Sequence, residues 1–232
     1  MLTLVVDTST SAVQAALVTV ESADHTGQSN PKVQPLAQRL RVDARGHAEY
    51  LSPFINECLT EAGHAMADID AVVVGVGPGP FTGLRVGMVT AAALGHARRI
   101  PTYGVCSLDG LGAGTTGHVL VATDARRKEI YWAEYRDGQR IGDPNVNKPD
   151  QMPSVTAETA LGEGAVKYAD VMGIPIMEGP LHPVLTNLAQ VAAERILAHA
   201  PSEGLTPLYL RRPDVTMSAK HAGQRQTAPS AP

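Results

Sequence analysis

The chain has 232 residues, 44% hydrophobic and only 4% aromatic, with a formal charge of −4. That length bounds it at one large domain or two small ones with a real core, and the acidic balance gives no general pull toward nucleic acid or anionic membrane. Two cysteines, Cys58 and Cys106, make neither a disulfide framework nor a metal spacing and read as reduced core thiols of a cytoplasmic protein.

Leu2–Val6 reads as a short apolar strand ending at Asp7-Thr8-Ser9-Thr10. Met1–Asp7 lacks the charged segment and the length of an export signal. Val13–Val20 and Leu36–Val42 are two further strand-like runs, and the polar stretch Glu21–Lys32 between them looks like a long exposed hairpin loop. His47–Gly63 is amphipathic: Ala48, Leu51, Phe54, Ile55, Cys58, Leu59 and Ala62 share an arc of about 140°. A strand at Ala71–Val76, a helix at Thr82–Arg98 and a strand at Thr102–Cys106 follow.

That second helix is the unusual one. It begins after a Gly/Pro turn, where the Thr82 hydroxyl is expected to cap it. From Gly83 to Ala97 its only charge is Arg85, and Gly83, Gly87, Ala91 and Gly95 recur at a spacing of four. Small or apolar side chains lie almost all the way round, the mark of a helix covered on both sides. One cover is this chain's own sheet. The other is expected to be a partner. No apolar run approaches the ~20 residues of a membrane span.

The second half is plainer. His118–Thr123 and Glu129–Tyr135 read as strands joined by Asp124-Ala125-Arg126-Arg127-Lys128, and Asp137–Pro153, with three prolines, reads as a loop. A helix is expected in Val155–Gly173 around the turn Gly162-Glu163-Gly164, and another at Leu185–His199, stopped by Pro201. After Pro213 the chain is polar and aperiodic, so residues 213–232 are expected to be a disordered tail. Three meandering strands followed by helix, strand, helix and strand is the order of a ribonuclease H-like half. Residues 1–106 are taken as that lobe and 107–212 as a smaller second one.

Five segments together resemble the bacterial TsaB (formerly YeaZ) family. They are Asp7-Thr8-Ser9, His47-Ala48-Glu49, the block from Gly77 to Gly87 (GPGPFTGLRVG), Asp124-Ala125-Arg126-Arg127 with Glu129-Ile130-Tyr131, and Pro207-Leu208-Tyr209-Leu210-Arg211. The resemblance implies an α/β fold of the actin/Hsp70-like (ASKHA) kind, with two ribonuclease H-like lobes, the second reduced. It implies a non-catalytic scaffold that binds and activates its paralogue TsaD, the threonylcarbamoyltransferase forming N6-threonylcarbamoyladenosine in tRNA. A TsaE-like ATPase joins the same complex, and tRNA is reached only through it. The subunits associate through their first two helices, which puts Tyr50, Phe54, Gly83, Val86, Gly87, Ala91, Leu94 and Gly95 at the contact. Without its partner the same surface is expected to form a homodimer.

The alternative is a stand-alone enzyme of this fold, a glycoprotease-like peptidase or a phosphotransferase. The peptidase needs two histidines four apart on the first helix to hold a metal, and here His47 is followed at that spacing by Leu51. A lone His at a helix start reads as a capping or hydrogen-bonding residue. The phosphotransferase needs a glycine beside Asp7 to let backbone amides approach phosphate, and Thr8-Ser9-Thr10 has none. Asp7 is a weak nucleotide candidate and reads better as a strand-end residue capping the next turn. A two-metal nuclease fails because the strand Ala71–Val76 ends without an acid. Pro78 and Pro80 each remove a donor from the loop before the second helix, which favours a rigid turn over an anion site. Arg126, Arg127, Lys128, Arg211 and Arg212 read as a solvated face, and Tyr131 and Tyr135 share one side of a strand as packing residues. No catalytic residue, metal or cofactor is assigned.

Overall fold

The computed structural model describes residues 1–22 and 30–211. Most of the expected exposed loop and all of the expected tail lie outside the described residues.

The first sheet has five strands: β1 (Leu2–Asp7), β2 (Ala12–Glu21), β3 (Lys32–Val42), β4 (Ala71–Gly75) and β5 (Thr102–Val105). Their order is β3-β2-β1-β4-β5. β3, β2 and β1 run antiparallel as a meander, while β1, β4 and β5 are parallel. Parallel central strands are covered on both faces, so they need apolar residues at every position. β4, Ala-Val-Val-Val-Gly, is buried throughout and splits its valines between two cores. Val72 and Val74 face α1 (His47–Ala62) and α2 (Phe81–Arg98); Val73 faces α6 (Leu185–Leu197) on the other side. The C-terminal half therefore returns to complete the first lobe.

α1 buries Leu51, Ile55, Cys58 and Leu59 and ends at Gly63, whose φ of 69° only glycine adopts at little cost. α2 starts one residue earlier than expected, and Pro80, not Thr82, is its N-cap. Proline holds φ at −59° there, and the Leu84 amide donates to the Pro80 carbonyl, so the turn closes without the Thr82 hydroxyl.

The second sheet, ordered β8-β7-β6-β9, comprises β6 (His118–Arg126), β7 (Glu129–Arg136), β8 (Gln139–Asn147) and β9 (Thr159–Leu161). β8 corrects the expectation of a loop over Asp137–Pro153. It is an edge strand, largely exposed, and its pairing with β7 shifts register between Trp132 and Glu134, across which Gly142, Asp143 and Pro144 stand unpaired. An exposed, bulged edge has no need of apolar alternation. Val155–Gly173 likewise resolves differently, into β9, a turn at Gly162, and two short helices, α4 (Glu163–Lys167) and α5 (Ala169–Met172). A single helical turn, α3 (Asp109–Gly112), links the sheets. Two α/β lobes, the second smaller, are what the chain forms.

Candidate functional site

α2 meets its own chain through the residues that were expected to meet a partner. A Cβ on Gly87 would stand 2.6 Å from Thr8 Oγ1, and one on Gly83 2.9 Å from the Thr8 carbonyl oxygen. Thr8 Oγ1 donates to the Gly83 carbonyl at 2.8 Å and accepts from the Gly87 amide at 2.9 Å. At Gly95 a Cβ would lie 2.3 Å from Thr102 Cγ2, and Ala91 is fully buried in the core. Gly83, Gly87, Ala91 and Gly95 are therefore an internal seam, and their assignment to the partner contact is corrected. A spacing of four places residues on one face of a helix and says nothing about which side that face meets.

The opposite face carries the surface instead. Thr82, Val86, Val89, Ala93 and Ala97 fall within an arc of about 80° at 100° per residue. All but the half-buried Val86 are exposed, Val89 at 65%. Leu94 is also half-buried, as are Tyr50 and Phe54 of α1, whose rings stack 6.0 Å apart. Arg85, the one full charge in this stretch, is folded aside. Its guanidinium lies 3.8 Å over the Phe81 ring and Nε donates to the Tyr209 hydroxyl at 2.8 Å. Phe81 and Tyr209 stack in turn at 5.1 Å. What remains is an apolar strip on α2 beside an aromatic pair on α1. Val89 and Ala93 were missed because nothing in a helix apolar all round says which of its faces is outermost.

Asp7 is wholly buried at the end of β1. Its Oδ1 accepts from the Ser9 amide at 2.9 Å and the Ser9 hydroxyl at 2.8 Å, and its Oδ2 from the Ser107 hydroxyl at 2.6 Å. Burial pushes its pKa up, against the lowering effect of those bonds and of His47. Gly75 leaves the room it needs, since a Cβ there would be 1.8 Å from Oδ2. This is the strand-end role, with the carboxylate turned into the fold. His47 is likewise structural in its contacts: Nε2 lies 2.9 Å from the Thr10 carbonyl oxygen, and Leu51 one turn on is core. Among the described residues no group of three or more His, Cys, Asp or Glu side chains stands close enough to hold a metal ion. The Gly77–Gly83 loop is rigidly seated: the Ser107 amide donates to the Gly77 carbonyl at 2.7 Å, and a Cβ on Gly79 would strike the Ser9 carbonyl oxygen at 2.3 Å.

Arg126 closes β6, and Arg127 and Lys128 form the exposed turn to β7; all three have positive φ, an uncommon state for residues with side chains. With Arg211, Tyr131, Tyr209 and Phe81 the two arginines line a cavity of about 450 Å³. Arg211 is paired with Glu129 and also donates to the Ala125 carbonyl. Tyr131 and Tyr135 are both buried, and the Tyr135 hydroxyl donates to Asp109 Oδ1 at 2.7 Å, which accounts for these rings as packing residues. Arg212 lies outside the described residues. No helix among the described residues is long and apolar enough to cross a membrane.

Comparison with known proteins is consistent with this architecture. A family model described as TsaD, tRNA N6-adenosine threonylcarbamoyltransferase, matches residues 41–221. An uncharacterized protein of Mycobacterium leprae is 47% identical over 211 residues, 91% of this chain and 55% of that protein, so the chain spans little more than half of it. The Escherichia coli tRNA threonylcarbamoyladenosine biosynthesis protein TsaB is 34% identical over 193 residues, 72% of this chain and 81% of that one. The solved structure of YeaZ from Pseudomonas aeruginosa superposes with a TM-score of 0.71 at 26% identity, covering 90% of this chain and all of YeaZ. The chain belongs to the TsaB (YeaZ) family, within the wider group defined by the tRNA N6-adenosine threonylcarbamoyltransferases.

Proposed function

We propose that the chain is a non-catalytic subunit that binds and activates a TsaD-like threonylcarbamoyltransferase in the biosynthesis of tRNA N6-threonylcarbamoyladenosine. The observation that carries the proposal is the apolar outer strip of α2, Val86, Val89, Ala93 and Ala97, beside Tyr50 and Phe54 of α1. Exposed contiguous apolar surface on a folded lobe marks an interaction site. The partner's chemistry follows from kinship. A family model described as the transferase matches residues 41–221, the span that holds α1 and α2, which supports a TsaD-like protein as the partner. Two such faces pack as a pseudo-twofold pair, each strip covering the other. The same geometry lets two copies of this chain form a homodimer when the partner is lacking.

The residues support a scaffold over a peptidase or phosphotransferase. Asp7 engages both carboxylate oxygens internally, and His47 serves the Thr10 carbonyl. The transfer itself then belongs to the partner, with a TsaE-like ATPase joining the pair and tRNA reached through the assembly, in the cytoplasm. The test is to mix the full chain with the TsaD-like protein of its own genome and weigh the product by size exclusion with light scattering. A heteromer lost on Val89→Lys, with the variant still folded, is the expected result. Two separate peaks from folded proteins would overturn the proposal.

A further inference from the structure

The residues after α6 return along α2 as a fixed strap. The Thr102 amide donates to Ser202 Oγ at 3.1 Å, the Glu203 amide to the Thr102 carbonyl at 3.3 Å and the Leu208 amide to the Val76 carbonyl at 2.8 Å. The strap thus runs beside β5, the outer strand of the first sheet. At its far end Tyr209 stacks on Phe81 and accepts from Arg85 Nε, both of α2. Phe81, Arg85, Ala92 and His96 lie within about 60° of one another on α2, on the flank that meets the strap.

Between flank and strap is an open groove of two hollows, about 350 and 1050 Å³, which share Ala92 and Leu205. Its openness suits a protein element better than an enclosed small molecule. The first hollow is apolar, with Met88 as floor and Val89 and Pro207 as walls. Val89 belongs to the outer strip as well, so groove and strip are one continuous surface. The second hollow is cationic at its end, where His96, Arg99 and His199 line it. Its acid, Glu203, is held by Arg195 at 2.7 Å, and no acid among the described residues pairs with the exposed Arg99. α2 contains no Asp or Glu, so a second copy laying its α2 here would bring Arg99 no carboxylate.

We propose that this groove seats a helix of the TsaD-like partner, with a large apolar side chain between Val89, Ala92 and Leu205 and a carboxylate against Arg99. Ala92 and Arg99 stand about 10 Å apart along the axis of α2, so the two features fall about two turns apart on the partner helix. The apolar hollow supplies affinity, and the cation at its end favours the partner over a second copy. The inference rests on the outer strip being the partner contact.

The test is calorimetric titration of the full chain with the TsaD-like protein of its own genome, at low and high salt. Ala92→Trp fills the apolar hollow from an exposed position and should weaken the heteromer at least tenfold. Arg99→Glu should weaken it at least fivefold at low salt and less at high salt, while Arg99→Lys keeps the parent affinity. Self-association, followed by light scattering, should not weaken with Arg99→Glu. Parent-like binding by either Ala92→Trp or Arg99→Glu, under conditions where Val89→Lys no longer binds, would overturn the seat and leave the strip contact standing. An equal loss of self-association in Arg99→Glu would overturn the preference for the partner. No heteromer from the parent would remove strip contact and seat together. The Arg99 variants decide the matter even if Ala92→Trp does not fold.

Discussion

α2 and α6 lie on opposite faces of the same sheet, and they treat their outer surfaces differently. α6 buries Leu185, Leu188, Ala189, Ala192, Ala193 and Ile196 and turns Glu194 outward, with Val191 its one exposed large apolar side chain. It is a finished surface helix, and its amphipathic period shows that in the sequence. α2 buries Gly83, Leu84, Gly87, Met88, Ala91 and Gly95 and leaves Val89, Ala93 and Ala97 uncovered. Its inner face is small so that it can lie almost on the backbone of the β1–β2 turn; its outer face is apolar although nothing among the described residues covers it. A helix without a polar side has a second surface to satisfy.

The largest effect should come from breaking the inner face. Gly87→Leu drives a side chain into Thr8 and disrupts the two hydrogen bonds that Thr8 Oγ1 makes to α2. Overpacking and the orphaned polar groups together should cost about 3 kcal/mol or more, a large share of the ~5–15 kcal/mol that keeps a domain folded. Urea denaturation of the isolated chain reads this directly. A variant as stable as the parent would return Gly87 to the surface.

The outer face should behave in the opposite way. Val89→Lys, at a position 65% exposed, should change monomer stability by no more than ~0.5 kcal/mol. Binding of the TsaD-like partner should weaken by about 2 kcal/mol or more, roughly thirtyfold, because a charge then sits where an apolar contact was. Val191→Lys on α6 is the matched control and should alter neither quantity. If it weakens binding as much, the two helices do not differ as argued. Arg85→Ala should act more gently, removing a ring contact and a hydrogen bond that tie α2 to Tyr209. A loss of about 0.5–1 kcal/mol and faster proteolysis near Tyr209 are expected.

The same contrast explains how much could be read from residues alone. α6 and α1 declare themselves because each has one wet side, and the valines of β4 do so because a central parallel strand is apolar throughout. The glycine seam of α2 was visible as a pattern, but its direction was not. Only the approach of Thr8, distant in sequence, decides that Gly83 and Gly87 face inward. β8 was illegible for a related reason: an exposed edge with Gly142 and Pro144 at its bulge carries no alternation and has the composition of a loop.

The smallest effect lies beneath the α2 seam. α6 rests on apolar side chains, whereas α2 rests on a turn braced by a buried carboxylate, so the support of α2 should answer to pH. Burial raises the Asp7 pKa above its ordinary value, outweighing the bonds from Ser107 and Ser9 that lower it. The folded state thus binds this proton more tightly than the unfolded chain does. Stability from this group is fully present below the unfolded value near ~4, falls as pH rises through the folded value, and is level above it. Asp7→Asn keeps the shape and cannot titrate. Measured by urea midpoint from pH 3.5 upward, parent and variant should differ least at the acid end. The parent should then lose ground to the variant as pH rises, because the other carboxylates are common to both. Parallel curves would mean that Asp7 carries the same proton affinity folded and unfolded, and that the turn under α2 is held by the Ser9 and Ser107 bonds without an electrostatic penalty.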